Sequence, residues 1–338
     1  SGARDLRARL LCTARSAGSQ AISSALAMAR GLLLLCRAPA FALPPAPVQT
    51  LAAGLRHACA LRPNHAVVCS ASYPRLASLR ASLPSEAGLT ALAVNADSGC
   101  ALRTDGTAVC FGGVSGYAAP STPFVSVGAG YRSACGLDAL GVITCWGANG
   151  YILPLSPVFG VQTFSKMSVG DGFVCGVIAT PAAYKGYVTC SGRDALGIES
   201  GGTWQYSPDT GREYTDVSIG GNRTFCLLDD QKRLRCDRAH HWDTTPPNGQ
   251  VVDRFWAAYE GVCADLADGS LQCESVHFSE PMPDDTSFVT LDTDGSQVCG
   301  TYADGSFACW GRPDAAPHDL AFDDIGVGHE FACGLTTE

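Results

Sequence analysis

Cysteine spacing constrains this chain more than any other feature. Fourteen of the seventeen cysteines fall in successive pairs: 59/69, 100/110, 135/145, 175/190, 226/236, 263/273 and 299/309. Six of the seven pairs are ten positions apart. The stretch Val125 to Gly147, VSVGAGYRSACGLDALGVITCWG, is the clearest copy and reads as two strands joined by a tight turn. If two cysteines oppose each other across an antiparallel pair, opposed positions share a constant sum, so the turn is centred midway between them. The loops are then Thr104-Asp105-Gly106, Ala139-Leu140-Gly141, Ala267-Asp268-Gly269 and Ala303-Asp304-Gly305. Each is a three-residue loop with Gly third, where a type I turn followed by a bulge needs a left-handed residue. Directly opposed cysteines on neighbouring strands are close enough to bond. The pair 175/190 keeps the rule with a longer turn through Pro181 to Gly186.

The expected disulfides are therefore Cys59–Cys69, Cys100–Cys110, Cys135–Cys145, Cys175–Cys190, Cys226–Cys236, Cys263–Cys273 and Cys299–Cys309. Before most first cysteines stands a short apolar run ending in Gly, as in Val125-Ser126-Val127-Gly128 and Val217-Ser218-Ile219-Gly220. Cys333 lies in IGVGHEFACGL, the first half of a further copy. From Cys59 to Cys333 the mean period is about 39 residues, the length of a propeller blade. Helical repeats of similar length would carry a 3.6-residue pattern, which is missing after residue 45.

Zinc is the competing use of so many cysteines, but it favours Cys-x2-4-Cys knuckles, and none occurs here. Paired cysteines at this density place the chain in an oxidising compartment. The expectation is a secreted or extracellular protein. The net charge is −9. A surface this acidic repels phosphate backbones, which argues against a nucleic-acid partner.

Residues 1–42 are expected to lie outside the fold, with the propeller occupying 43–338. The segment carries six arginines and one acid, Asp5. Met28-Ala29-Arg30 followed by Gly31-Leu32-Leu33-Leu34-Leu35-Cys36 reads as a basic then apolar leader, with Ala40-Phe41-Ala42 as a cleavage site. An Arg/Ser-rich organellar transit peptide is the alternative. No segment has the length of a transmembrane helix.

The pattern VxVGxGxxxxCGLxxxGxVxCWG resembles the RCC1 superfamily of β-propellers. Its Cys-paired form resembles the extracellular repeats of CRINKLY4-type plant receptor kinases. Asp171-Gly172-Phe173-Val174-Cys175-Gly176 and Cys145-Trp146-Gly147 carry the likeness most closely. The resemblance implies an all-β, seven-bladed RCC1-like propeller with disulfide-stapled hairpins. Four copies depart from the Trp-Gly ending: Cys69-Ser70, Cys190-Ser191, Cys236-Asp237 and Cys273-Glu274.

Neither a catalytic residue nor a cofactor or metal site is expected. His240-His241-Trp242-Asp243 has no third ligand nearby, and the acids Asp292, Asp294, Asp323 and Asp324 lack calcium-loop spacing. Asn222-Arg223-Thr224 is a glycosylation sequon at Asn222. The residues offered for partner binding are Tyr117, Tyr151, Trp204, Tyr206, Trp242 and Phe278, all in the variable segments between copies. The alternative for each is a cap on a blade core. The expected function is a monomeric binding scaffold for a protein or carbohydrate partner. The alternatives are a secreted lyase or hydrolase with its site at the channel mouth, and an RCC1-type exchange factor.

Overall fold

The computed structural model describes residues 8–14, 35–36, 51–54, 57–61, 67–71, 82–85, 88–95, 98–114, 118–131, 133–148, 157–170, 172–192, 202–206, 211–220, 224–238, 251–257, 261–275, 287–293, 297–311, 324–328 and 331–337. These residues form eight small antiparallel sheets, and apart from two short 3-10 turns at Pro157–Gly160 and Ala182–Tyr184 they contain no helix.

Seven of these sheets are meanders whose inner strand is followed by a middle and an outer strand. Sheet 1 is Leu51–Ala53, His57–Leu61 and Val67–Ala71; sheet 2 is Leu89–Asn95, Ser98–Arg103 and Ala108–Gly112. Sheet 3 is Phe124–Gly130, Ser133–Asp138 and Ile143–Gly147. Sheet 4, Thr163–Val169, Phe173–Thr180 and Val188–Gly192, gains a fourth strand, Gly202–Tyr206. Sheets 5 and 6 are Tyr214–Ile219, Thr224–Asp229, Leu234–Arg238 and Val252–Ala257, Gly261–Leu266, Leu271–Ser275. Sheet 7 is Thr290–Thr293, Gln297–Thr301 and Phe307–Gly311. The inner strands touch in succession, and Asp324–Gly328 of sheet 8 touches Leu51–Ala53 of sheet 1, so the ring closes.

Sheet 8 draws its strands from both ends of the chain. Its strand order is Leu35–Cys36, Ala8–Ala14, Phe331–Thr337, Asp324–Gly328. Ala8–Ala14 pairs with Phe331–Thr337 at seven successive positions, from Ala8 opposite Thr337 to Ala14 opposite Phe331. Among the described residues seven sheets correspond to the seven Cys-paired repeats, and an eighth forms where the half copy around Cys333 meets a strand from the other end of the chain. The physical reason is the edge of Phe331–Thr337, whose backbone groups need a partner. A short apolar run such as Leu10-Leu11-Cys12 serves as a strand as readily as it serves a leader.

The middle strands explain the monotony of the repeat. Each is packed on both faces by neighbouring sheets, so it reads as a run of small buried residues, as in HACAL and SACGLD, rather than as an alternation. The core lies between sheets; Leu102 of sheet 2, for example, packs in one cluster with Phe124, Ala134 and Trp146 of sheet 3. The Gly after the first cysteine makes room for an aromatic at the entry of the inner strand. A methyl group on Gly136 would stand 2.4 Å from the Phe124 ring, and the same distance separates Gly176 from Phe164 and Gly300 from Phe288. In sheets 3 and 7 the Trp after the second cysteine stacks on that aromatic, with ring centres 5.5 Å apart for Phe124–Trp146 and 5.4 Å for Phe288–Trp310. Where Ala101 or Ala264 replaces the Gly, the entry residue shrinks to Leu89 or Val252.

Candidate interaction surface

The seven expected disulfides all form, each between directly opposed residues of a middle and an outer strand. Their Cα atoms are 4.0 Å apart in six pairs and 4.1 Å in Cys299–Cys309. The staples and the turns between them define one face of the ring, because the middle-to-outer turn lies beside the entry of the inner strand.

On that face the predicted turn glycines take the left-handed conformation: Gly106, Gly141 and Gly305 at φ 83° and Gly269 at 84°. In sheet 5 the same position is Lys232, the one non-Gly residue with positive φ among the described residues, at 60°. The conformation has a second use that spacing did not reveal. It turns the residue's carbonyl toward the next sheet, where it accepts an N–H at the start of the inner strand. Phe124 N–H donates to Gly106 O at 2.8 Å and Phe164 N–H to Gly141 O at 2.7 Å. Tyr214 N–H donates to Gly186 O at 2.8 Å and Val252 N–H to Lys232 O at 2.9 Å. Four sheets are thereby tied to their successors by the turns that carry the staples.

A carboxylate holds each of five turns from one of two places. Within the loop, Asp105, Asp268 and Asp304 accept both the N–H and the hydroxyl of Thr107, Ser270 and Ser306 at 2.5–2.9 Å. Those hydroxyls, followed by the backbone N–H groups, hold the three carboxyls below their ordinary pKa. Where the loop lacks this Asp-Gly-Ser/Thr sequence, the residue before the loop supplies the carboxylate. Asp138 Oδ1 accepts from Leu140 and Val142 N–H at 2.9 and 2.8 Å, and Asp229 Oδ1 from Gln231 and Arg233 N–H at 2.9 and 2.8 Å.

Cations on this face neutralise carboxylates of the next sheet or, for Arg254, of the facing strand in its own sheet. Lys185 Nζ meets Glu213 Oε2 at 2.8 Å, and Lys232 pairs with Asp253. Arg254 Nε donates to Asp265 at 2.6 Å, while its other nitrogens reach the carbonyls of Phe288 and Val289 at 3.2 and 3.0 Å across to sheet 7. The large apolar side chains that the described residues expose are Val125, Leu140, Val142, Val161, Tyr184, Val251 and Val289. All seven lie in middle-to-outer turns or at inner-strand entries. Leu140 and Val161 are the most open, each 79% exposed, and belong to a turn and the entry that it hydrogen-bonds.

Of the aromatics selected from sequence, Tyr206 is half-buried, its ring 4.8 Å from that of Phe225 in the core between sheets 4 and 5. Trp204 lies in the fourth strand of sheet 4, opposite Cys190 in register. Tyr117, Tyr151, Trp242 and Phe278 lie outside the described residues, as do Asn222 and His240-His241-Trp242-Asp243. Among the described residues no three His, Cys, Asp or Glu side chains gather into a metal-binding group, and no helix is long and apolar enough to cross a membrane. Solitary surface valines carry no sequence pattern, so the exposed apolar set could be found only once the turns were placed on one face.

No protein-family model matches the chain. Its structure is similar to the ectodomain of the Physcomitrella patens receptor kinase CR4, with a TM-score of 0.56 and 23% identity over 73% of this chain and 70% of that one. It is similar to the CRINKLY WD40 ectodomain of the Arabidopsis thaliana receptor kinase ACR4, with a TM-score of 0.54 and 22% identity over 73% and 93% of the two chains. Human WBSCR16 aligns over 98% of this chain and 99% of its own, with a TM-score of 0.57 and 12% identity. The fold is an RCC1-like β-propeller with Cys-paired repeats.

Proposed function

We propose that this chain is an extracytoplasmic recognition propeller, in which a stapled ring presents a protein or carbohydrate partner with the face formed by the turns and inner-strand entries. The observation that carries the reading is the disulfide inside each of seven hairpins. Such bonds persist in oxidising compartments. They also hold the turns rigid, so that side chains on them bind with little loss of conformational freedom. Receptor-kinase ectodomains of similar fold support the compartment. Leu140, Val142 and Val161 support the face, because exposed apolar side chains brought together on one face favour contact with a partner.

The test is capture of extracellular proteins and of an immobilised glycan panel by the full oxidised chain, compared with Leu140→Asp/Val161→Asp. The variant should melt at the wild-type temperature and lose the captured partner. Equal capture by both proteins would remove this face from the reading. Capture lost together with the fold would be resolved by Val125→Asp/Val289→Asp, which alters the same face in other sheets.

A further inference from the structure

We infer that Cys12 and Cys333 form an eighth disulfide, which ties the first described strand to the last and makes residues 8–14 a retained part of the ring. Cys333 is buried and disulfide-bonded. The seven hairpin bonds consume fourteen of the seventeen cysteines and leave only Cys12 and Cys36 as its partner within the chain. The strand register decides between them. Cys12 stands directly opposite Cys333, the relation shared by every hairpin pair. Cys36 stands opposite Leu10, whose other neighbour is Leu335. It is therefore two strands away from Phe331–Thr337, about 10 Å at ordinary strand spacing, beyond the ~7 Å Cα separation that a disulfide spans.

The placement also completes the repeat. In sheets 1 to 7 the first cysteine sits on the middle strand and the second on the outer strand. In sheet 8 the middle strand carries Cys333, and Ala8–Ala14 takes the place of the outer strand. Cys12 thus holds the position that Cys145 holds in sheet 3. The bond forms as the others do: the two thiols give up two protons and two electrons to a low-molecular-weight disulfide, which leaves as two thiols while one S–S bond forms. Cleavage after Ala42 would remove Cys12 and leave Cys333 without a cysteine to pair with, so removal of this segment and closure of sheet 8 exclude each other.

The experiment is thiol counting and peptide mapping of the full chain, purified oxidised and opened in denaturant without reductant, with oxidised glutathione as the disulfide. One thiol per chain is expected, on Cys36, together with a tryptic peptide of residues 10–15 released from the C-terminal fragment only on reduction. Cys12→Ser should raise the count from one to two, and Cys36→Ser should lower it to zero. The inference is overturned by a thiol on Cys333 in the wild-type chain, by a Cys36–Cys333 linkage, or by a folded oxidised chain that lacks residues 1–42. The wild-type map gives this answer even if a variant fails to fold. Hairpin bonds intact with Cys333 reduced would sink this inference while leaving the recognition reading standing.

Discussion

Gly141 and Gly269 occupy the same turn position in different sheets, and replacing each by Ala separates two costs that the turn combines. Both are left-handed, at φ 83° and 84°. Forcing an L-residue into that region costs about 1–2 kcal/mol. The narrower freedom of Ala in the unfolded chain returns about 0.4–1 kcal/mol of that. Gly269 has no described atom within 4 Å of the added methyl group, so the net loss of about 1 kcal/mol is the whole effect. At Gly141 the methyl group would stand 2.8 Å from Phe164 O and 3.0 Å from Phe164 N, which are backbone atoms. Relief requires the entry of sheet 4 to move, which strains the 2.7 Å bond from Phe164 N–H to Gly141 O and shifts a buried aromatic. Losing that bond adds about 1 kcal/mol, and disturbed packing brings the total to about 2–4 kcal/mol. Guanidinium unfolding with disulfides intact, followed by tryptophan fluorescence, should give Gly141→Ala at least twice the midpoint shift of Gly269→Ala. Equal shifts would refute the role of the turn carbonyl in joining the sheets. No shift in either would refute the left-handed turns themselves.

Other outcomes follow from the same geometry. Asp105, Asp268 and Asp304 have folded pKa values below the ordinary value, so their stabilisation is present above about pH 4 and is lost as pH falls through the folded values. The Asp105→Asn/Asp268→Asn/Asp304→Asn variant should lose less stability than wild type between pH 7 and pH 3 in thermal melts; an equal loss would mean that these turns do not titrate with folding. Gly136→Ala places a methyl group 2.4 Å from Phe124 and should cost about 1–3 kcal/mol by overpacking. Adding Phe124→Leu should recover part of that cost in a double-mutant cycle, and strict additivity would argue against the contact. Asp292 Oδ2 accepts the Val327 N–H at 2.8 Å across the boundary between sheets 7 and 8. Asp292→Ala should speed hydrogen exchange at Val327 while leaving amides of sheet 3 unchanged, and unaltered exchange at Val327 would dismiss the link.

The hairpins were legible because a disulfide across an antiparallel pair makes spacing equivalent to geometry. Gly106, Gly141, Gly269 and Gly305 could be placed in left-handed turns from cysteine positions alone. Lys232 could not, because its identity hides the conformation that its carbonyl must adopt to reach Val252. The eighth sheet was hidden by distance: more than 300 positions separate Cys12 from Cys333, and the arginines around Leu10-Leu11-Cys12 read as part of a targeting segment. Tyr206 read as a loop aromatic because a fourth strand that, among the described residues, only sheet 4 of the ordinary repeats carries leaves no periodic trace. The interaction face was least legible, since Leu140 and Val161 are isolated apolar residues until the fold sets their turn and strand entry side by side.

The measurement that bears most directly on the stapled ring is a complete disulfide map of the oxidised full chain, digested without reduction and read by mass spectrometry. Closure of each hairpin on itself predicts the linkages 59–69, 100–110, 135–145, 175–190, 226–236, 263–273 and 299–309, with no cross-link between different hairpins. Linkages that join different hairpins, or a folded protein whose hairpin cysteines all remain thiols, would contradict it.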